Sequence, residues 1–283
     1  MRPAIRVRAG VPARRYHGGP IDPETAMDLP VNRFKHALAA GTPQIGLWSS
    51  LASNVTVELI AAAGYDWILL DMEHAANDLE SLLGQLQAAA AYDTHPVVRV
   101  PWNDLVAIKR VLDAGAQSVL VPMIDTPEQA RDAVAAMRYP PGGLRGVGGT
   151  TRATRWGRVK DYARNVEREL CILLQLETER ALDNLEAIAA VDGVDGLFIG
   201  PADLHASFGH VGDRHHPDVW PRIEDAVRRI RAAGRAPGFL TPDEADSRRI
   251  LELGGLFVAV GSDAGLLAKA ADALRARFAS DRS

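Results

Sequence analysis

The stretch DWILLDMEHAAND, residues 66–78, sets an apolar run directly against Asp71, Glu73 and His74. An ordinary strand end carries a turn residue or one solvated charge, so two acids and an imidazole within four positions point to proton chemistry. An imidazole titrates near neutrality, which suits His74 to general acid–base work. Asp71, three residues earlier, is placed to accept a hydrogen bond from the His74 ring and fix its tautomer. A satisfied structural histidine is the plain alternative. Other reactive groups also follow apolar runs. PVVRVPWND puts Arg99 inside a strand pattern, with Asn103 and Asp104 after it. A guanidinium there needs a partner. A bound carboxylate or oxyanion matches its fork, and a structural ion pair with Glu73 or Glu177 is the lesser alternative. CILLQLETE delivers Gln175, Glu177 and Glu179, and GLFIGPADLHASFG delivers Asp203 and His205. Glu177 and Asp203 together make a hard oxygen set, suited to Mg²⁺, Mn²⁺ or Co²⁺ rather than to a structural zinc. Helix capping or pairing with arginine would account for them without a metal.

Further segments carry weaker signals. Cys171 opens an apolar run and reads as core packing. His210, His215 and His216 in FGHVGDRHHPD read as a solvated loop, with a clustered metal site as the sharper alternative. The glycines of RYPPGGLRGVGGTTRATRW, residues 138–156, permit close backbone approach and its arginines attract anions. An active-site lid, a phosphate grip or an inter-subunit loop would each explain that composition. No lysine stands at an identified strand end, which argues against Schiff-base chemistry.

The elements that must position these groups follow from the apolar pattern. QIGLWSS, DWILLDM, PVVRVP, SVLVPM, CILLQLE, DGLFIGP, APGFL and LFVAVGS are short and mostly continuous in apolar character, as parallel strands covered on both faces are. Helical patterns alternate with them and end at glycines, as in AAAGYDWILL and LDAGAQSVLV. TPEQ at Thr126 and TPDE at Thr241 each read as a capping threonine, a first-turn proline and a capping-box partner. Val219, Ile223, Val227 and Ile230 form an apolar stripe at helical spacing. Eight strands alternating with helices predict an α/β fold, one (β/α)₈ TIM barrel. A doubly wound sheet has less support, because no GxGxxG opens a helix after an early strand. No Gly/Ser-rich linker divides the chain, so residues 32–283 read as one domain behind a flexible or surface-draped extension, residues 1–31.

Bulk properties exclude several classes. The chain of 283 residues has a net charge of −4, which gives no field for nucleic acid. No apolar run approaches the roughly 18 residues needed to cross a bilayer. One cysteine excludes an intrachain disulfide framework and, with no secretory core near the start, points to a reducing cytoplasm.

In order, GLW, DMEH, PVVRVPWND, VLVPM, RYPPGGLRGVG, QLET, GVDGLFIGPADL and LFVAVGSD resemble the HpcH/HpaI family of metal-dependent class II pyruvate aldolases, from about Arg33 to Phe278. The resemblance implies a barrel of the phosphoenolpyruvate/pyruvate superfamily, assembled as a hexamer (a trimer of dimers) that exchanges the C-terminal helix between subunits. It implies cleavage or formation of 4-hydroxy-2-oxo acids, giving pyruvate and an aldehyde through a metal-stabilised pyruvate enolate. Carried onto this chain, it makes Glu177 and Asp203 the ligands of a divalent metal ion, and Arg99 the holder of the keto oxygen. His74 with Asp71 becomes the catalytic dyad, and Gln175 an active-site polar residue. The backbone of Gly200, Ala202 and Asp203 would cradle the pyruvate carboxylate, while Asp113 would reach a neighbouring subunit's site. Trp48 and the loop from Val147 through Gly148 to Gly149 would line the aldehyde side. His205 stands where the family usually has serine, Met72 where glycine is common, and Ser49 and Ser50 where bulkier or glycine residues are common. These departures bear on the aldehyde rather than on pyruvate or metal. A lyase of malyl-CoA or citryl-CoA type esters, an oxaloacetate decarboxylase and a silent ligand-binding barrel are the competing readings. The first would need a basic groove for the nucleotide; the last sits poorly with filled metal and dyad positions.

Overall fold

A computed structural model describes residues 26–278 of the chain; most of the expected extension, residues 1–25, lies outside them. Eight strands form in chain order: β1 (Gln44–Ser49), β2 (Trp67–Asp71), β3 (His95–Arg99), β4 (Ser118–Val121), β5 (Cys171–Leu176), β6 (Gly196–Ile199), β7 (Ala236–Leu240) and β8 (Phe257–Ser262). Each pairs in parallel with the next, and β1 pairs with β8, closing the barrel. Every expected strand is present to within about two residues.

The helices are α1 (Arg33–Ala39), α2 (Asn54–Ala62), α3 (Leu79–Ala89), α4 (Leu105–Asp113), α5 (Pro127–Met137), α6 (Tyr162–Asn165), α7 (Glu179–Asp183), α8 (Leu185–Ala189), α9 (Pro201–Ser207), α10 (Trp220–Ala232), α11 (Glu244–Glu252) and α12 (Asp263–Arg277). The Thr126 capping box forms as expected, with Gln129 closing it on α5. The Thr241 box does not. Asp243 caps α11 by accepting from the Asp246 amide, while Thr241 Oγ1 accepts from the Asp243 amide in the preceding turn. Gly64 (φ 84°) and Gly115 (φ 103°) take the left-handed conformation just past α2 and α4, where a side chain would be strained.

Strand alternation sorts the core into two shells. Trp67, Leu69, Val97, Leu173, Phe198 and Phe257 fill the barrel interior, and Phe34 and Leu38 of α1 close its N-terminal end. Ile68, Leu70, Val98, Val119, Leu174 and Leu197 face outward under the helices, meeting the stripe of Ile223, Val227 and Ile230 on α10. Large and small residues interlock inside. A Cβ added at Gly46 would lie 2.3 Å from the Trp67 ring, so glycine is required there.

Chain direction fixes what can reach the site. Strands run toward the C-terminal mouth and helices return to the other end. Asp113 therefore sits at the far end, and the 138–161 segment, which follows α5, begins there too. Ala153 N–H donates to Asp113 O and Arg152 donates to Ala114 O, which hold the segment against the return end of α4.

Candidate active site

β2 and β3 run in register so that Asp71 lies beside Arg99, both pointing into the mouth. Arg99 Nε and Nη2 donate to the two Asp71 carboxylate oxygens at 3.0 and 2.6 Å, and Arg99 Nη1 meets Glu73 Oε2 at 2.7 Å. The guanidinium stacks on Trp48 at 4.7 Å, and Trp48 Nε1–H donates to Asp71 Oδ2 at 3.1 Å. Asp71 and Arg99 are both buried. Burial alone would push the Asp71 carboxyl up, but the Arg99 hydrogen bonds and charge, with the Trp48 bond, hold it below the ordinary range. Burial raises the Glu73 carboxyl, and Arg99 only partly offsets it.

This geometry corrects the expected dyad contact. Asp71 Oδ1 accepts from the backbone amides of Glu73 and His74, at 3.0 and 3.3 Å, not from the His74 ring. Arg99 and Trp48 fill the carboxylate, so the ring stays at the rim, largely exposed, with Nε2 4.0 Å from Glu73 Oε1. Trp48 likewise lies inside, bracing Asp71 and Arg99, rather than on an open aldehyde wall. The ion-pair alternative for Arg99 is realised with Asp71 and Glu73, not Glu177.

Opposite this pair, β5 presents Gln175, and Glu177 follows just past its end, both buried. Gln175 Nε2 donates to Glu177 Oε2 at 2.6 Å, and the Met123 amide donates to Glu177 Oε1 at 2.7 Å. Met123 adopts φ 54°, a conformation a non-glycine residue takes at a cost of about 1–3 kcal/mol, and that turn aims its N–H at the carboxylate. Desolvation, with the nearby charges of Glu73 and Asp203, pushes the Glu177 carboxyl up to about 7. Three carboxylates thus share one field at the mouth. A Cβ at Gly200 would lie 2.6 Å from Glu177 Oε2, so glycine leaves the room that carboxylate occupies. Gln175 Oε1 is buried without a hydrogen-bond partner among the described residues.

Asp203 stands exposed in the first turn of α9. The amides of Ala202 and Asp203 there have no intrahelical acceptor. Gly200 N–H, however, donates to Leu176 O, so Gly200 serves the site by lacking a side chain and not as a donor. His205 is buried, and its Nδ1–H donates to Pro201 O at 2.7 Å. Asp104 caps α4 through the Ala107 amide, and Asn103 donates to Gln129 O, so both are structural.

Val147 and Gly148 do not reach this chain's own mouth. They belong to the segment at the far end, where Gly148 lies beside Asp113 and Arg145 Nη2 donates to Asp113 Oδ1 at 2.9 Å. A lid or phosphate grip over the same chain's site is thereby excluded for residues 138–156. Two positioning features escape a reading of the sequence: the Met123 turn and the Asp263 clamp. Asp263 accepts from Ser49 Oγ, Ser50 N–H and Oγ–H, and Leu51 N–H, tying the loop after β1 to the root of α12. Pro122, which ends the β4 ladder, was the available signal for the first.

An eight-stranded barrel with an acid-rich mouth and an arginine fixed beside it defines a class of lyase scaffold. The model of the HpcH/HpaI aldolase/citrate lyase family matches residues 44–270, and the chain belongs to that family. It is 55% identical over 252 residues to the 4-hydroxy-2-oxo-heptane-1,7-dioate aldolase of Salmonella arizonae, covering 89% of this chain and 96% of that one. It is 56% identical over 253 residues to the pyruvate aldolase of Rhizobium etli, covering 89% and 100%. A crystal structure of an HpcH/HpaI aldolase/citrate lyase family protein from Burkholderia cenocepacia superposes with a TM-score of 0.84 at 41% identity, covering 89% and 100%. The chain is a carbon–carbon lyase of the class II aldolase type.

Proposed function

We propose that the chain cleaves 4-hydroxy-2-oxo acids to pyruvate and an aldehyde, and catalyses the reverse addition, at the mouth formed by Arg99, Glu177 and Asp203. The observation that carries this is geometric: the buried Glu177 carboxylate, fixed by Gln175 Nε2 and the Met123 amide, shares the mouth with Glu73 and with Arg99, and burial beside Glu73 and Asp203 pushes its carboxyl up, a crowding of acids that a divalent cation relieves. The donors are carboxylates, which fits Mg²⁺, Mn²⁺ or Co²⁺. Glu177 and Asp203 would hold it. When bound, such an ion supplies Lewis-acid stabilisation of the negative charge that develops on the 2-oxo oxygen.

The chain's own groups do the rest. Three of the five Arg99 N–H groups are engaged by Asp71 and Glu73, which leaves two to bind the keto oxygen and stabilise the enolate. Ala202 and Asp203 amides receive the pyruvate carboxylate. His74 takes the C4 hydroxyl proton; the C3–C4 bonding pair passes to the pyruvate enolate, the aldehyde departs, and protonation at C3 gives pyruvate. Gln175 fixes Glu177. Residues 32–283 are taken as one barrel domain acting in the cytoplasm.

Asp113, Val147 and Gly148 would act on a neighbouring subunit's substrate. That reading is supported by their distance from this mouth and by α12, which beyond its root exposes Leu266, Leu267 and Leu274, with Phe278 exposed at its C-cap. An exchanged α12 within a trimer of dimers would bury these. Pyruvate release from a panel of 4-hydroxy-2-oxo acids, with divalent ions added back after chelation, tests the proposal. Metal-dependent release is expected; full activity in the metal-free protein would refute it.

A further inference from the structure

Arg145 is a fully buried charge in the 138–161 segment, and the chemistry at the mouth makes no use of it. Its guanidinium lies 4.6 Å over the Tyr139 ring and 5.9 Å from the Tyr162 ring. Burial pushes both phenols up, so the two rings are neutral and offer their faces but no charge. Nη2 donates to Asp113 Oδ1 at 2.9 Å. Nε and Nη1 are buried without a hydrogen-bond partner among the described residues. Asp113 is therefore the one anion among the described residues that answers this guanidinium.

Stability alone does not account for the pair. Taking a cation out of water is costly, and an apolar side chain between the two tyrosines would fill the same space without that cost. Asp113 is the last residue of α4, where its carboxylate faces the negative end of the helix dipole and a cation would be favoured. The carboxylate is also only half engaged. Oδ1 is taken by Arg145, whereas Oδ2 accepts nothing among the described residues, and the side chain is 26% exposed. A Cβ at Gly148 would stand 3.6 Å from Oδ2, so glycine leaves the approach to that oxygen clear.

We propose that Arg145 is a positioning residue for Asp113: it pins Oδ1 and so holds Oδ2 outward, to accept a hydrogen bond from substrate in the neighbouring subunit's mouth. The direction given to Oδ2 rests on the shared-mouth reading above. The guanidinium is itself anchored, because Arg145 N–H donates to Arg138 O and Leu144 N–H to Ala135 O, at the end of α5. Without it, a part-exposed aspartate samples several rotamers, and a misplacement of about 1 Å can cost about 10²-fold in rate.

Kinetic coupling separates this role from that of a loop anchor. Arg145→Met fills the slot between the tyrosines with an unbranched apolar chain. Its urea midpoint should hold while kcat for pyruvate release falls about 10–100-fold. Asp113→Asn should fall as far, and the double variant no further than Asp113→Asn alone. Arg145→Lys, which keeps the charge, should recover part of the rate, and it carries the same cycle if the methionine variant does not fold. Multiplicative losses in the double variant, or a wild-type kcat in either single variant, would overturn the proposal. Subunit mixing tests the shared mouth apart. Asp113→Asn chains refolded together with His74→Ala chains should regain activity, because some mouths then combine an intact His74 with an intact Asp113. Arg145→Met should do likewise with His74→Ala and not with Asp113→Asn. No regain in the first mixture would refute the shared mouth; regain there but not with Arg145→Met would refute the positioning role alone.

Discussion

The working groups at the mouth divide by what each one touches. Asp71 neutralises a buried guanidinium, so Asp71→Asn leaves Arg99 buried with a weakened partner and should cost about 3–5 kcal/mol of stability besides activity. His74 is exposed and bears no such load. His74→Ala should lower kcat by about 10²–10⁴-fold with little change in KM or in the urea midpoint. Chemical denaturation and steady-state kinetics on the two variants check the contrast; equal destabilisation would contradict the assigned contacts. Met123 makes a narrower case. Met123→Gly relieves the left-handed strain and should keep the amide on Glu177. Met123→Val, whose branched side chain resists that conformation, should weaken metal affinity by about 10-fold or more, by isothermal titration. Asp71, Glu73, His74, Arg99 and Glu177 were legible in the sequence because each follows an apolar run, where a barrel gathers its chemistry. Their pairing was not legible. Nothing in the spacing of Asp71 and His74 tells that the register of β2 with β3 gives the carboxylate to Arg99 instead.

Among the elements, strands were read closely because continuous Leu, Ile and Val runs have no other soluble use at that length. The Thr241 helix start was misplaced because two cap-competent residues, Thr241 and Asp243, flank Pro242, and only packing selects between them. The 138–156 loop was open to a lid reading because glycine and arginine content does not say which barrel end a loop occupies. Its position after a helix does, since only strand-to-helix loops open at the catalytic face. α12 is the element whose surroundings a single chain leaves incomplete: beyond Asp263 nearly all of it is exposed, and it carries three exposed leucines, with Phe278 exposed at its C-cap. Replacing Leu266 and Leu267 by Asp should therefore shift sedimentation to a smaller species while helix content by circular dichroism stays unchanged. An unaltered sedimentation coefficient would contradict helix exchange.

The whole barrel should also respond to pH through one residue remote from the chemistry. His95 lies at the N-terminal end, stacked on Phe34 with Nε2 2.8 Å from Ser118 Oγ, and burial lowers its pKa to about 4. The unfolded chain protonates this histidine near 6.5 while the folded one does not, so its contribution to stability is full above about 6.5 and is lost as the pH drops toward 4, whereas the raised Glu177 carboxyl contributes the opposite slope as the pH rises toward 7. The loss amounts to at most about 3 kcal/mol, less where the ring edge meets solvent. Urea unfolding at several pH values should show wild type losing stability relative to His95→Gln, which keeps a donor for Ser118, as the pH falls from about 6.5 toward 4, since the Glu177 contribution is common to both proteins. The central claim concerns the other end of the barrel, where Glu177 and Asp203 are taken to hold the ion that makes pyruvate a nucleophile. Mn²⁺ binding followed by electron paramagnetic resonance, with and without pyruvate, tests it most directly. One Mn²⁺ per chain, bound more tightly when pyruvate is present and lost in Glu177→Gln, is the predicted result. Equal Mn²⁺ affinity and equal pyruvate enhancement in wild type and Glu177→Gln would contradict it.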